Sequence, residues 1–207
     1  MSGTPVAGIV FVISGPSGVG KSSMLREVLD RDRRLRFSVS HTTRPPRDGE
    51  RDGEDYHFVS VDEFRALIDQ GAFLEWAEYQ GNLYGTSRSA VDEPTRQGID
   101  LILEVEVQGA AQLRGMLPEA VTVFVLPPSS LQELEERLRS RRSDDEQAIR
   151  KRLETARKEV QEAEHYDYVI VNDELDRASS DLLHVVGAAR LQREHVLPGW
   201  KARFELD

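Results

Sequence analysis

Residues 8–22 read GIVFVISGPSGVGKS, and no other stretch restricts the fold of this chain as much. GIVFVIS (8–14) is a short, continuous, β-branched run bounded by glycine. Such a run marks a strand buried on both faces, as in a parallel sheet. GPSGVGKS (15–22) fits G-x-x-x-x-G-K-[ST], and KSSMLREVLDRD behind it carries Met24, Leu25, Val28 and Leu29 at helical spacing. A buried strand, a glycine turn and a helix in that order open an α/β unit. Gly15, Gly18 and Gly20 let successive backbone N–H groups turn inward around phosphate oxygens. The helix N-terminus adds a partial positive charge. Lys21 reaches the terminal phosphates as a mobile cation, and the Ser22 hydroxyl can join a magnesium shell. The cradle Gly15, Pro16, Ser17, Gly18, Val19, Gly20, Lys21, Ser22 and Ser23 therefore predicts a bound nucleoside triphosphate with magnesium. It leaves the reaction open, because GTPases, helicases, transporters and kinases share it.

Further strands are predicted near 35–40, 100–106, 120–126 and 167–172, with helices between them. The sheet should be parallel, with ligands at its carboxyl edge. Residues 40–87 break that rhythm. LRFSVSHT (35–42) runs as one strand into this region, and DYHFVS (55–60) is a second. SVDEFRALIDQG is a helix with a capping box from Ser60 to Glu63 and a stop at Gly71. FLEWAEYQGNLYGTS (73–87) is a hairpin turning at Gly81-Asn82. A mostly β insert inside an α/β chain follows. IDLILEVEVQG (99–109) reads as a strand whose Glu104 and Glu106, two apart, share one face. Beyond AVTVFVLPP come two charged helices. One carries Leu131, Leu134 and Leu138, the other a stripe of Ile149, Leu153, Ala156, Val160 and Ala163, and a second capping box, Ser143 to Glu146, lies between them. YDYVIVND (166–173) is a last strand, and helix continues to about Leu197.

Length and composition fit one substantial core with an insert: 207 residues, 39% hydrophobic. The absence of cysteine excludes disulfides and thiol chemistry, and the five histidines have no metal-ligand spacing. With no signal-like N-terminus and no apolar run long enough for a membrane, a cytoplasmic location is expected. A net charge of −10 argues against nucleic acid as a partner. Arginines nevertheless crowd residues 31–51 and 137–152, and such islands suit a small polyanion.

The first island holds SHTTRPPRDGERDGEDYHF (40–58), and no NKxD segment of a guanine-specific GTPase occurs. Together with GPSGVGKSS, FLEWAEYQGNLYGTS, LILEVEVQGA and YDYVIVND, this stretch resembles the guanylate kinase family, over roughly residues 8–190. The resemblance implies a P-loop kinase fold of α/β class: a parallel central sheet flanked by helices, a small β-rich GMP-binding insert and a helical lid. The implied division is a core at 1–39, 88–128 and 156–207, a GMP-binding subdomain at 40–87 and a lid at 129–155. Arg44, Arg47, Tyr56 and Tyr84 match residues that hold the GMP phosphate, which forked guanidinium donors suit. Ser40, Glu75 and Thr86 match the base readers. A carboxylate accepts the guanine N1–H and 2-amino group together, and adenine would leave it unpaired. Glu104 and Glu106 resemble an acidic pair at the acceptor arginines and the magnesium shell. Arg137, Arg141 and Arg152 match arginines that close on the ATP phosphates, while Arg139 and Arg150 read equally well as solvated helix charges. Asn172 is similar to a residue near the adenine.

The chain departs from the family pattern at Glu106, where Asp is frequent, at His41, and at Arg142, where glycine is common. The activity implied is transfer of the γ-phosphoryl of ATP to GMP or dGMP, with Mg2+. A non-catalytic peptide-binding relative would not need the intact lysine and glycine loop. A kinase for another phosphorylated acceptor would not need Glu75 beside Ser40 and Thr86. The sequence leaves open whether the chain is a monomer or a homodimer.

Overall fold

A computed structural model describes residues 7–79, 81–127, 131–140 and 146–204, with the backbone alone at 131, 137, 138, 140 and 148. A five-stranded sheet runs in the order β2 (Leu35–Phe37), β7 (Asp100–Glu104), β1 (Val10–Ser14), β8 (Val121–Leu126), β9 (Tyr168–Val171). Every pairing in it is parallel, with Val12 opposite Leu103 on one side and Thr122 on the other. β1 is central and buried on both faces, which explains its unbroken apolar run. Phe11 and Ile13 face a core shared with Met24, Leu25 and Val28 of α1 (Lys21–Arg31) and Leu182 and Val186 of α7 (Leu175–Arg190). Val12 faces the opposite layer, among Val91 of α3 (Arg88–Arg96) and Ala110 and Leu113 of α4 (Val107–Met116).

A second, four-stranded sheet has the order β4 (His57–Phe58), β3 (His41–Thr42), β6 (Asn82–Ser87), β5 (Phe73–Tyr79). The β5–β6 hairpin is antiparallel, with Glu75 directly opposite Thr86. α2 (Val61–Asp69) starts with the predicted reciprocal capping box of Ser60 and Glu63 and stops before Gly71 at φ 64°. α5 (Leu131–Ser140) and α6 (Glu146–Glu159) carry Leu134, Ile149 and Ala156 into the interior.

Several boundaries differ from the sequence reading. The predicted 35–42 strand is two strands in two sheets, because after Ser38 N–H bonds to Ile102 the chain crosses from one sheet to the other. The predicted strand at 55–60 keeps only two residues. β7 ends at Glu104, so Glu106 is not a strand residue; it is the extended N-cap of α4. The apolar stripe of α6 runs past Glu159 into a 3-10 turn at Val160–His165, since one apolar spacing serves both windings. The last helix is two, α7 and α8 (Arg193–Arg203), broken at Leu191 and the extended Gln192. Ser143 and the second capping box lie outside the described residues.

Candidate functional site

The glycine loop joins the carboxyl end of β1 to α1 in the centre of the parallel sheet. Three of its glycines lie at positive φ, Gly18 among them at 92°, and two of the three also lack room for a side chain. Gly15 has φ 146°, and a Cβ there would come 2.3 Å from the Val125 carbonyl oxygen. Gly20 has φ 91°, and its Cβ would come 2.6 Å from the Asn172 side-chain nitrogen. Asn172 is buried, and its amide donates to the Val19 carbonyl at 2.6 Å. It braces the glycine loop through that carbonyl. Val19 itself points into the core, so its backbone alone faces the cradle. The Lys21 ammonium donates to the carbonyls of Gly15 and Pro16, and Ser23 is exposed at the start of α1.

Facing this loop across a cleft are the residues predicted for a second ligand. Ser17, Gly18, Gly20, Lys21 and Ser22 line one wall, and Ser40, Arg44, Arg47, Tyr56, Glu75 and Tyr84 line the other. Glu104, Glu106 and Arg152 lie between them. The Ser22 hydroxyl donates to Glu104 Oε1 at 3.1 Å, and Glu106 Oε2 is enclosed without a hydrogen-bond partner. Burial pushes the Glu106 carboxyl above the ordinary carboxylate range; Lys21 pulls against it and Glu104 adds to it. A hydroxyl and two carboxylates are hard oxygen donors of the kind Mg2+ takes alongside water and substrate phosphate, so the residues fit that ion. Among the described residues no cluster of three or more His, Cys, Asp or Glu could hold a metal by itself. Arg141 and the Arg137 side chain lie outside the described residues, as does Arg142. Arg139 pairs with Glu135 and Glu146 on an exposed face.

Glu75 is the most enclosed charge in the second wall, 5% exposed. The Thr86 hydroxyl donates to its Oε1 at 2.6 Å, with the Ser40 hydroxyl 3.5 Å further on. Thr86 is buried behind the carboxylate and does not itself line the cleft. Burial raises the Glu75 carboxyl above its usual range; Thr86 hydrogen bonds oppose this, and the Glu106 charge adds to it. Arg44 is held over the Tyr56 ring, with its guanidinium carbon 5.5 Å from the centroid. Burial raises the Tyr56 hydroxyl well above the ordinary phenol range, with Glu104 and Tyr84 adding to it.

Sequence reasoning missed several residues here. Glu50 takes two Arg44 N–H bonds at 2.9 Å each and the Arg47 backbone N–H at 2.7 Å, closing the Pro45-Pro46 turn. Burial opposes its ionisation, yet Arg44 and Arg47 hold Glu50 below the usual range. Its spacing from Arg47 was the available signal, since a carboxylate three residues on can cap a turn. Tyr79 lines the cleft with Ser17 of the glycine loop, and burial raises its hydroxyl above the ordinary phenol range. Glu159, at the end of α6, is pushed up to about 7 by burial first and then by the Glu106 charge, with Lys21 pulling back. No pattern in a charged helix singles it out. Arg51 pairs with Glu54 on the surface, and His41 packs against His57 and Phe73.

A glycine loop between a buried parallel strand and a helix, opened toward a second polar wall, defines a P-loop kinase. The guanylate kinase family model matches residues 8–189, so the chain belongs to the guanylate kinase family. It is 50% identical over 190 residues to guanylate kinase of Neisseria gonorrhoeae, covering 92% of each chain. It is 46% identical over 199 residues to that of Geobacter metallireducens, covering 96% of this chain and 98% of the relative. The crystal structure of guanylate kinase from Anaplasma phagocytophilum superposes with a TM-score of 0.79 at 29% identity, over 98% of both chains.

Proposed function

We propose that this chain transfers the γ-phosphoryl group of ATP to GMP, giving ADP and GDP. The observation that carries this reading is the buried Glu75 carboxylate, aligned by Thr86 at 2.6 Å, in the wall opposite the glycine loop. A carboxylate so enclosed needs donors, and the guanine N1–H and 2-amino group supply two of them. AMP supplies no N1–H, so it would leave the buried oxygens unsatisfied.

The remaining roles follow from chemistry. Backbone N–H groups of residues 17–22 and the Lys21 ammonium hold the donor phosphates. Arg44, aligned by Glu50, and Arg47 and Tyr84 hold the acceptor phosphate. Ser22, Glu104 and Glu106 would hold Mg2+ with the phosphates, and the ion when bound offsets charge on their oxygens. The GMP phosphate is already an anionic nucleophile, so the protein orients it in line and supplies no covalent group. Arg152 lines the cleft beside the cradle, where a fixed cation stabilises charge on the transferring oxygens. Residues 40–87 act as the acceptor-binding part and 129–155 as the lid, whose closure excludes competing water. A cytoplasmic setting completes this reading; among the described residues no helix is long and apolar enough to cross a membrane.

A coupled ADP-release assay with GMP, AMP, UMP and CMP tests it. GMP should be the preferred acceptor, by about a hundredfold or more over AMP where a buried acceptor group is left unpaired. Equal rates with AMP and GMP would overturn it.

A further inference from the structure

We propose that Gly109 is a positioning residue for the base-reading carboxylate, its missing side chain leaving the slot in which Glu75 stands. This rests on the reading of Glu75 as the guanine contact. Gly109 lies in the first turn of α4, buried against β5. A Cβ at this position would lie 2.3 Å from Glu75 Oε2, 3.0 Å from its Cδ and 3.6 Å from its Cγ. The helix therefore passes so close that only a bare Cα fits behind the carboxylate. On its other side, Oε1 receives the Thr86 hydroxyl at 2.6 Å. One oxygen is fixed by a donor and the other by a wall.

The wall cannot retreat freely. One turn further along α4, the Gln112 side chain donates to the Trp76 carbonyl at 2.8 Å and accepts the Trp76 N–H at 3.3 Å. Both bonds go to the residue next to Glu75, so backing the helix away would break them. What gives way to an added methyl group is the carboxyl end of the Glu75 side chain, which must swing out of line with Thr86. The substitution should thus move the carboxylate and leave the fold standing. Gly115, in the same helix, provides the contrast: a Cβ there meets nothing within 4 Å.

The test is steady-state kinetics with GMP and AMP for the wild type, Gly109→Ala, Gly115→Ala, and Gly109→Ala combined with Glu75→Ala. Gly109→Ala should raise the KM for GMP by about tenfold or more and shrink the GMP-over-AMP preference, with the KM for ATP changed less than about twofold. Gly115→Ala should match the wild type. In the Glu75→Ala background, Gly109→Ala should add no further loss, because nothing is left to displace. A GMP-selective wild type with Gly109→Ala unchanged in KM and preference overturns this role alone. A wild type indifferent to the base overturns the acceptor reading, and this role with it. If Gly109→Ala unfolds too readily to assay, thermal unfolding of the Gly109→Ala/Glu75→Ala pair decides. Recovery of the wild-type midpoint supports the collision, and no recovery overturns it.

Discussion

Replacing Thr86 by valine keeps the shape of a buried side chain and removes one oxygen. That oxygen is the 2.6 Å donor to Glu75 Oε1, in a place where water cannot substitute for it. A hydrogen bond to a charged group contributes about 1.5–3 kcal/mol. At about 1.4 kcal/mol per pKa unit, its loss should raise the Glu75 carboxyl by roughly 1–2 units. The direction is fixed by the geometry. Burial already lifts this carboxyl, Thr86 pulls it back by favouring the charged form, and valine removes the pull. GMP needs the ionised form as acceptor, so the acid limb of kcat/KM for GMP should shift to higher pH by about 1–2 units.

Stability should follow the same titration. A carboxyl raised in the fold ionises at a cost, so its favourable contribution is complete below the unfolded value and fades as pH climbs through the folded one. The valine variant should therefore be least stable, relative to wild type, at neutral and alkaline pH. There its midpoint should fall by roughly 3–12 °C, at about 2–4 °C per kcal/mol for a chain of this size. Below the carboxylate range the two proteins should converge. The assays are a pH series of initial rates with GMP and a matching series of thermal melts. An acid limb that stays put, together with a melting deficit independent of pH, would refute the assignment of Glu75 as a charge held by Thr86.

Two further outcomes test the frame around the site. Lys21→Ala should lower turnover by about a hundredfold or more, because it removes the cation at the transferring phosphate, with the melting midpoint little changed; near-normal turnover would sink the cradle assignment. Arg190→Met should cost about 3 kcal/mol and lower the midpoint by roughly 6–12 °C, since it strands carboxylates of Asp32 and Asp100 that are mostly buried. A melt within about 2 °C of wild type would show that this network contributes little.

Most of the central sheet was legible because β-branched runs, glycine turns and helical stripes repeat in order along the chain. The cradle was legible for a stronger reason, since strand, loop and helix are contiguous and the chemistry sits on consecutive residues. Strand limits in the second sheet were not legible. β3 and β4 are two residues each and are set by pairing partners far away in sequence, Gly85 and Tyr84 for β3. Glu106 was misread because an extended N-cap continues the strand pattern that precedes it. Glu50, Tyr79 and Glu159 were missed because their relevance depends on what the fold brings opposite them. Gly109 is the sharper case: a glycine inside a helix looks like a weakness until the carboxylate that occupies its space is seen.

The contact between α4 and β5 limits how this enzyme could be re-engineered. The chain leaves the central sheet after Ser38 and returns through Ser87, so residues 39–87 invite exchange as a cassette for a different base. A graft cut at those two crossings would carry a new reader into a groove still shaped for a glutamate. Its seat, at Gly109 and Gln112, lies some twenty residues beyond the cut and belongs to the host. A working graft must therefore transplant one face of a helix along with the insert.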